Sequence, residues 1–75
     1  MLIIINAREV YVDKKELSFD ELVDLAFEDP ARGPMVIFTI SYRTKNGNHE
    51  GILSPGSSVK VKKGMIFNVT RTDKS

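Results

Sequence analysis

Apolar positions recur with two different periods along this chain. In residues 17–28, LSFDELVDLAFE, the side chains of Phe19, Leu22, Val23 and Ala26 fall on one helical face with Leu25 beside them, while Asp20, Glu21 and Asp24 lie away from it. Ser18 with Glu21 three residues later is a capping box, and Leu17 with Leu22 occupies the hydrophobic-staple positions. The acidic first turn suits the helix dipole. Pro30 disfavours helical backbone at Asp29, so the helix is expected to stop near Glu28. A helix of about ten residues does not hold together alone and needs a sheet against its apolar face.

The other apolar runs have the period of strands. Residues 2–5, LIII, read as a buried first strand, and Val10 and Val12 alternate with Glu9 and Tyr11 in a second. The two form a hairpin through Asn6-Ala7-Arg8. Ala7 is disfavoured at positive φ, so a looser turn or a bulge is expected there. Residues 13–15 are a polar connection into the helix, and residues 30–34, PARGP, a rigid exposed loop. The strongest strand signal is residues 35–43, with Val36, Phe38, Ile40 and Tyr42 on one side and Ile37, Thr39, Ser41 and Arg43 on the other. Asn46-Gly47 is the best hairpin signal in the chain and returns it antiparallel through residues 49–53. After a loop at residues 54–58, Val59 and Val61 alternate with Lys60 and Lys62 in a short edge-like excursion. Met65, Phe67 and Val69 lead the last strand, with Ile66, Asn68 and Thr70 on its reverse.

The order is ββαβββ. A helix joining an N-terminal hairpin to later strands makes a right-handed crossover that sets the first and last strands side by side in the sheet centre. One helix on one face of a mixed sheet is an α+β, single-domain β-grasp (ubiquitin-like) architecture. The domain is expected to span residues 1–71, with residues 72–75 a polar C-terminal tail. The expected core is Ile3, Ile5, Val10, Val12, Leu17, Leu22, Val23, Ala26, Val36, Phe38, Ile40, Leu53, Phe67 and Val69.

Composition narrows the function. The chain has 75 residues, enough for one domain that buries roughly 60% of its unfolded surface. It has no cysteine, so it offers neither a disulfide nor a thiol nucleophile, which suits a cytoplasmic protein. The opening MLIII is too short for a signal peptide or a membrane span. A net charge of +1 implies no bulk attraction to nucleic acid or membrane. One histidine and no spaced carboxylate pair supply no nucleophile–base arrangement and no metal set, so the chain is not expected to be an enzyme. Its glycines match no phosphate or dinucleotide loop, and no bound cofactor is expected. His49 reads as an exposed strand residue. Lys60, Lys62 and Lys63, with Lys14 and Lys15, read as solvated edge lysines.

Three stretches carry a resemblance: Ile5-Asn6 through Val10; Leu25-Ala26 followed by Asp29-Pro30; and Pro55-Gly56 with Val59, Val61, Gly64 and Phe67 at the spacing PGxxVxVxxGxxF. Together they resemble the multiubiquitin-type family of bacterial ubiquitin-like proteins, over nearly the whole chain from Leu2 to about Val69. The family often has glycine where this chain has Ala7. Nothing here matches the Gly-Gly terminus of ubiquitin or of sulfur-carrier β-grasp proteins. The resemblance implies a protein modifier whose C-terminal carboxylate, at Ser75 or a nearby residue after trimming, is activated by a ubiquitin-activating-like enzyme that uses ATP. It also implies transfer by a conjugating-like enzyme, with a processing peptidase as a further partner.

The sheet face turned away from the helix is the expected contact surface. If Val36, Phe38, Phe67, Val69, Val10 and Val12 face inward, then Ile37, Ile66 and Tyr11 face outward. Leu2 and Ile4 join them if Ile3 and Ile5 are inward, a parity that an all-apolar strand leaves open. In β-grasp strand order, Leu2, Ile4, Tyr11, Ile37 and Ile66 are expected to form one contiguous apolar stripe, and such a patch marks a binding surface. In ubiquitin-like modifiers that face receives activating enzymes and receptors. Three readings stay open: a conjugated modifier, a non-covalent interaction module using the same face, and a sulfur carrier.

Overall fold

The computed structural model describes residues 1–27, 36–47 and 49–73. Among the described residues, seven strands and one helix follow in the order β1 (Leu2–Ile5), β2 (Arg8–Tyr11), β3 (Glu16–Ser18), α1 (Phe19–Ala26), β4 (Val36–Arg43), β5 (Glu50–Leu53), β6 (Ser58–Lys60) and β7 (Ile66–Asp73). Five strands form a mixed sheet in the order β2-β1-β7-β4-β5. Its centre is the parallel pair of β1 and β7, with Ile4 beside Ile66 and Ile5 beside Phe67. This is the ubiquitin-like β-grasp. The order departs from ββαβββ by two short strands, β3 and β6, which pair antiparallel with each other in a separate two-stranded sheet. Among the described residues, no helix is long and apolar enough to cross a membrane.

The helix begins where the sequence places it. Ser18 Oγ accepts from the Glu21 N–H at 3.1 Å and the Ser18 N–H donates to Glu21 Oε1 at 3.1 Å, closing the capping box. The Lys14 ammonium, hydrogen-bonded to Glu21, and the Ser18 backbone N–H hold the Glu21 carboxyl below its ordinary pKa. Leu17 and Leu22, the staple pair, are both buried. The helix ends at Ala26, earlier than expected, because Phe27 turns to extended backbone and sets its ring 5.8 Å from that of Phe38. No basic residue stands in the last turn; Arg8 Nη2 reaches over instead and donates to Ala26 O at 2.7 Å. Glu28, Asp29 and the PARGP loop lie outside the described residues.

The core forms where α1 meets the inner sheet face. Ile3, Ile5, Leu22, Val23, Ile40 and Phe67 are its largest fully enclosed side chains. Phe19, Val61 and Met65 are buried as well and extend the expected set, whereas Val10, Val36 and Phe38 are half-buried.

Two turns differ from expectation in opposite directions. The β1–β2 hairpin is not loose: Ile5 pairs with Arg8 across a two-residue loop, and Asn6 and Ala7 take φ of 51° and 67°. Positive φ at both central residues is the tight hairpin turn that twists with its strands. The β4–β5 hairpin, which carries Asn46-Gly47, uses a longer loop. Its closing pair is Thr44 and His49, joined by Thr44 N–H to His49 O at 2.9 Å, and the Gly47 N–H bonds back to Thr44 O at 2.9 Å. Thr44 Oγ1 fills the loop, donating to Asn46 Oδ1 at 2.9 Å and accepting from the His49 N–H at 3.2 Å.

Candidate partner-binding surface

The outer face of the sheet follows from the strand registers. Ile3 and Ile5 are fully buried, which fixes the parity of β1 and turns Leu2 and Ile4 outward. One row across the sheet reads Glu9, Ile4, Ile66, Arg43, Glu50. In the next row Leu2 lies opposite Tyr11. Leu2, Ile4 and Ile66 are half-buried on adjoining register positions, and Tyr11, 79% exposed, stands at their edge opposite Leu2. Four of the five expected residues therefore come together.

Ile37 does not join them. It is exposed on the outer face opposite Thr72, six residues along β4 from Arg43. At strand rise that is about 20 Å from the Ile66 row. Thr39, Ser41, Asn68 and Thr70 fill the interval. The expected contiguous stripe is a compact cluster on β2, β1 and β7 with Ile37 standing alone near the other end of β4.

The structure adds an apolar residue that was not singled out. Ile52 on β5 is 72% exposed and lies opposite Ser41 on the same face. The signal for it was present, since Leu53 inward obliges Ile52 outward. Ser41, Arg43, Glu50, Ile52 and Asn68 line a shallow depression there. Beneath it Gly51 admits the Tyr42 ring, whose hydroxyl lies 2.8 Å from where a Cβ would stand.

The C-terminal strand changes the picture of the tail. β7 stays paired with β4 to its last residue, with Thr72 opposite Ile37 and Asp73 opposite Val36. Thr72 and Asp73, expected in a polar tail, belong to the sheet. Ser75 lies outside the described residues.

The multiubiquitin family model matches residues 1–73. The chain belongs to the multiubiquitin family. No curated protein and no solved structure matches it. In this multiubiquitin chain the residues that carry the resemblance are mostly structural. Asn6 makes the first hairpin turn, Gly56 and Gly64 hold φ of +83° and +79°, and Val61 and Phe67 are buried. The outer cluster of Leu2, Ile4 and Ile66 shares none of those motif positions. Packing of the core does not require apolar side chains at these three outer positions, which makes the cluster the candidate contact surface.

Proposed function

We propose that this chain is a bacterial ubiquitin-like modifier, working in the cytoplasm as the substrate of other enzymes rather than as an enzyme. An activating enzyme, using ATP, adenylates a C-terminal carboxylate at Ser75 or at a nearby residue exposed by a peptidase. A conjugating enzyme then carries the acyl group on its cysteine to an amine or hydroxyl of the target. The chain itself holds no cofactor. The observation that supports this reading is the family match over residues 1–73 on a β-grasp chain. The cluster of Leu2, Ile4, Ile66 and Tyr11 serves as the face those enzymes grip, and membranes and nucleic acid play no part.

One observation favours a second reading, a non-covalent interaction module. Thr72 and Asp73 are held in the ladder against β4, so the end of β7 is engaged in the sheet rather than offered as a free extension. The test is mass spectrometry of the protein incubated with its candidate activating enzyme, ATP and magnesium. A C-terminal peptide joined to AMP, a thiol or a target establishes the modifier. An unmodified terminus in the presence of activating enzyme, conjugating enzyme and peptidase together moves the assignment to the interaction module.

A further inference from the structure

Lys45 belongs to the turn after β4 and Lys62 and Lys63 to the turn before β7, yet all three line one shallow basin with Thr44 and Asn46. Gly64 brings them together. Its φ of +79° turns the chain after Lys63, and the Met65 N–H closes that turn on Lys62 O at 3.0 Å. A Cβ on Gly64 would stand 2.9 Å from Lys45 Cδ, so the Lys45 stem rests on bare glycine backbone. Among the described residues, no carboxylate lines the basin. Three like charges gathered in one place repel, a cost that scattered surface lysines avoid.

The basin adjoins the apolar cluster. The Gly64 N–H donates to Leu2 O at 2.7 Å, which sets the basin at the Leu2 end of β1. Arg43, two residues before Lys45, stands beside Ile66. Basic groups thus border the cluster on its β4 side, while Glu9 stands beside Ile4 on its β2 side.

We propose that this face binds an acidic protein segment. An apolar side chain of the partner seats on Leu2, Ile4 and Ile66, and neighbouring carboxylates reach Lys45, Lys62 and Lys63. The inference rests on the outer face being a partner surface and names the chemistry of that partner. Charge complementarity selects this occupant. A nucleic acid backbone would satisfy the lysines but leave the apolar cluster uncovered and bring phosphate toward Glu9.

The experiment titrates the ¹⁵N-labelled protein, without any conjugation enzyme, with a synthetic peptide bearing one leucine flanked by glutamates. Parallel titrations use the same peptide with glutamines and a single-stranded oligonucleotide of equal charge. The expected result is joint displacement of the Leu2, Gly64, Ile66 and Lys45 amide signals by the acidic peptide, weakening as salt rises. A Lys45→Glu/Lys62→Glu/Lys63→Glu variant weakens binding by about tenfold or more, and Lys15→Glu leaves it unchanged. Should the triple variant fail to fold, Lys62→Gln/Lys63→Gln makes the same comparison. Equal binding of the glutamine peptide, tighter binding of the oligonucleotide, or displacements confined to the lysines overturns the proposal. So do concentration-dependent displacements of the protein alone, which would make a second copy the occupant. Because no activating enzyme is present, failed conjugation elsewhere leaves this result standing, and the reverse holds too.

Discussion

Asn6 grips the backbone of Val69 with both ends of its side-chain amide. Nδ2 donates to Val69 O at 3.1 Å, and the Val69 N–H donates to Oδ1 at 2.8 Å. The amide stands in for one more residue of β1 alongside β7, just where β1 leaves the sheet for its turn. The Asn6 N–H adds a bond to Phe67 O at 3.0 Å. Asn6 tolerates left-handed backbone better than most residues, and its clasp on Val69 offsets the cost of the turn.

Replacement of Asn6 by Ala removes both amide bonds from Val69 and leaves an unsuited residue at φ of 51°. We expect a loss of about 1–3 kcal/mol in urea unfolding. Asn6→Asp keeps the acceptor but sets a carboxylate against Val69 O, and is expected to be no better. Ala7→Gly acts in the other direction. It relieves positive φ at 67° and is expected to raise stability by about 0.5–1 kcal/mol, the turn strain relieved less the extra freedom of glycine when unfolded. A lowered unfolding midpoint for Ala7→Gly would show that the turn is unstrained, since only the extra unfolded freedom of glycine would then remain.

Glu21 gives the stability of the fold an acid limb. Its carboxyl is held below its ordinary value of 4.5, first by the Lys14 hydrogen bond and then by the Ser18 backbone N–H. A depressed folded pKa contributes stability above the unfolded value, and that contribution is lost as pH falls through the folded one. The difference in melting temperature between wild type and Glu21→Gln should therefore be largest above pH 4.5 and shrink below it. Thermal melts between neutral and strongly acidic pH check this; a difference that stays constant would remove Glu21 from the acid limb.

Gly64 combines two demands that one substitution separates. Gly64→Ala meets both left-handed backbone and the Lys45 stem, and about 1–2 kcal/mol of destabilisation is expected from the backbone alone. Adding Lys45→Ala removes the stem and leaves the backbone strain. The double variant should recover part of the loss, and a double-mutant cycle with no coupling would mean that the lysine does not rest on the glycine.

What was legible in the sequence was whatever a single stretch could state. The Ser18–Glu21 box, the period-two face of β4 and the inward parity of Phe67 and Val69 are local patterns, and they placed the helix, the strand order and most of the core. β3 is three residues, too short to show a period, and although Val59 and Val61 alternate with the lysines around β6, its pairing of Val59 with Leu17 spans the chain and is not a local pattern. The tight Asn6-Ala7 turn depends on Val69, 63 residues away. Parity put Ile37 on the correct face, but only register shows how far along β4 it lies from Ile66. Convergence of Lys45 with Lys62 and Lys63 is likewise invisible until two turns are folded together.

The separation of Ile66 from Ile37 divides one surface into two and yields different expectations for each. Ile66→Asp places a carboxylate between Ile4 and Arg43 and is expected to weaken enzyme binding; Ile37→Asp, exposed and about 20 Å away, is expected to leave it within about twofold. Both should unfold within about 1 kcal/mol of wild type, Ile66 being only half-buried. Equal binding defects from the two would restore the continuous stripe.

The pairing of Thr72 with Ile37 offers a direct way to separate a conjugated modifier from a binding module. Directly opposed residues on antiparallel strands stand about 4.5–5.5 Å apart at Cα, within the span of a disulfide. In an Ile37→Cys/Thr72→Cys variant, oxidation staples the end of β7 to β4, and a reducing agent frees it. If the end of β7 must leave the sheet to enter an activating enzyme, the oxidised protein forms no adenylate and the reduced protein does, while both keep the same affinity for a partner on Leu2, Ile4 and Ile66. The control is the single Thr72→Cys variant, which should respond to neither treatment. Adenylation of the stapled protein at the wild-type rate would show that chain beyond Asp73 supplies all the reach required. Loss of partner affinity on stapling would instead tie the outer face to the movement of β7.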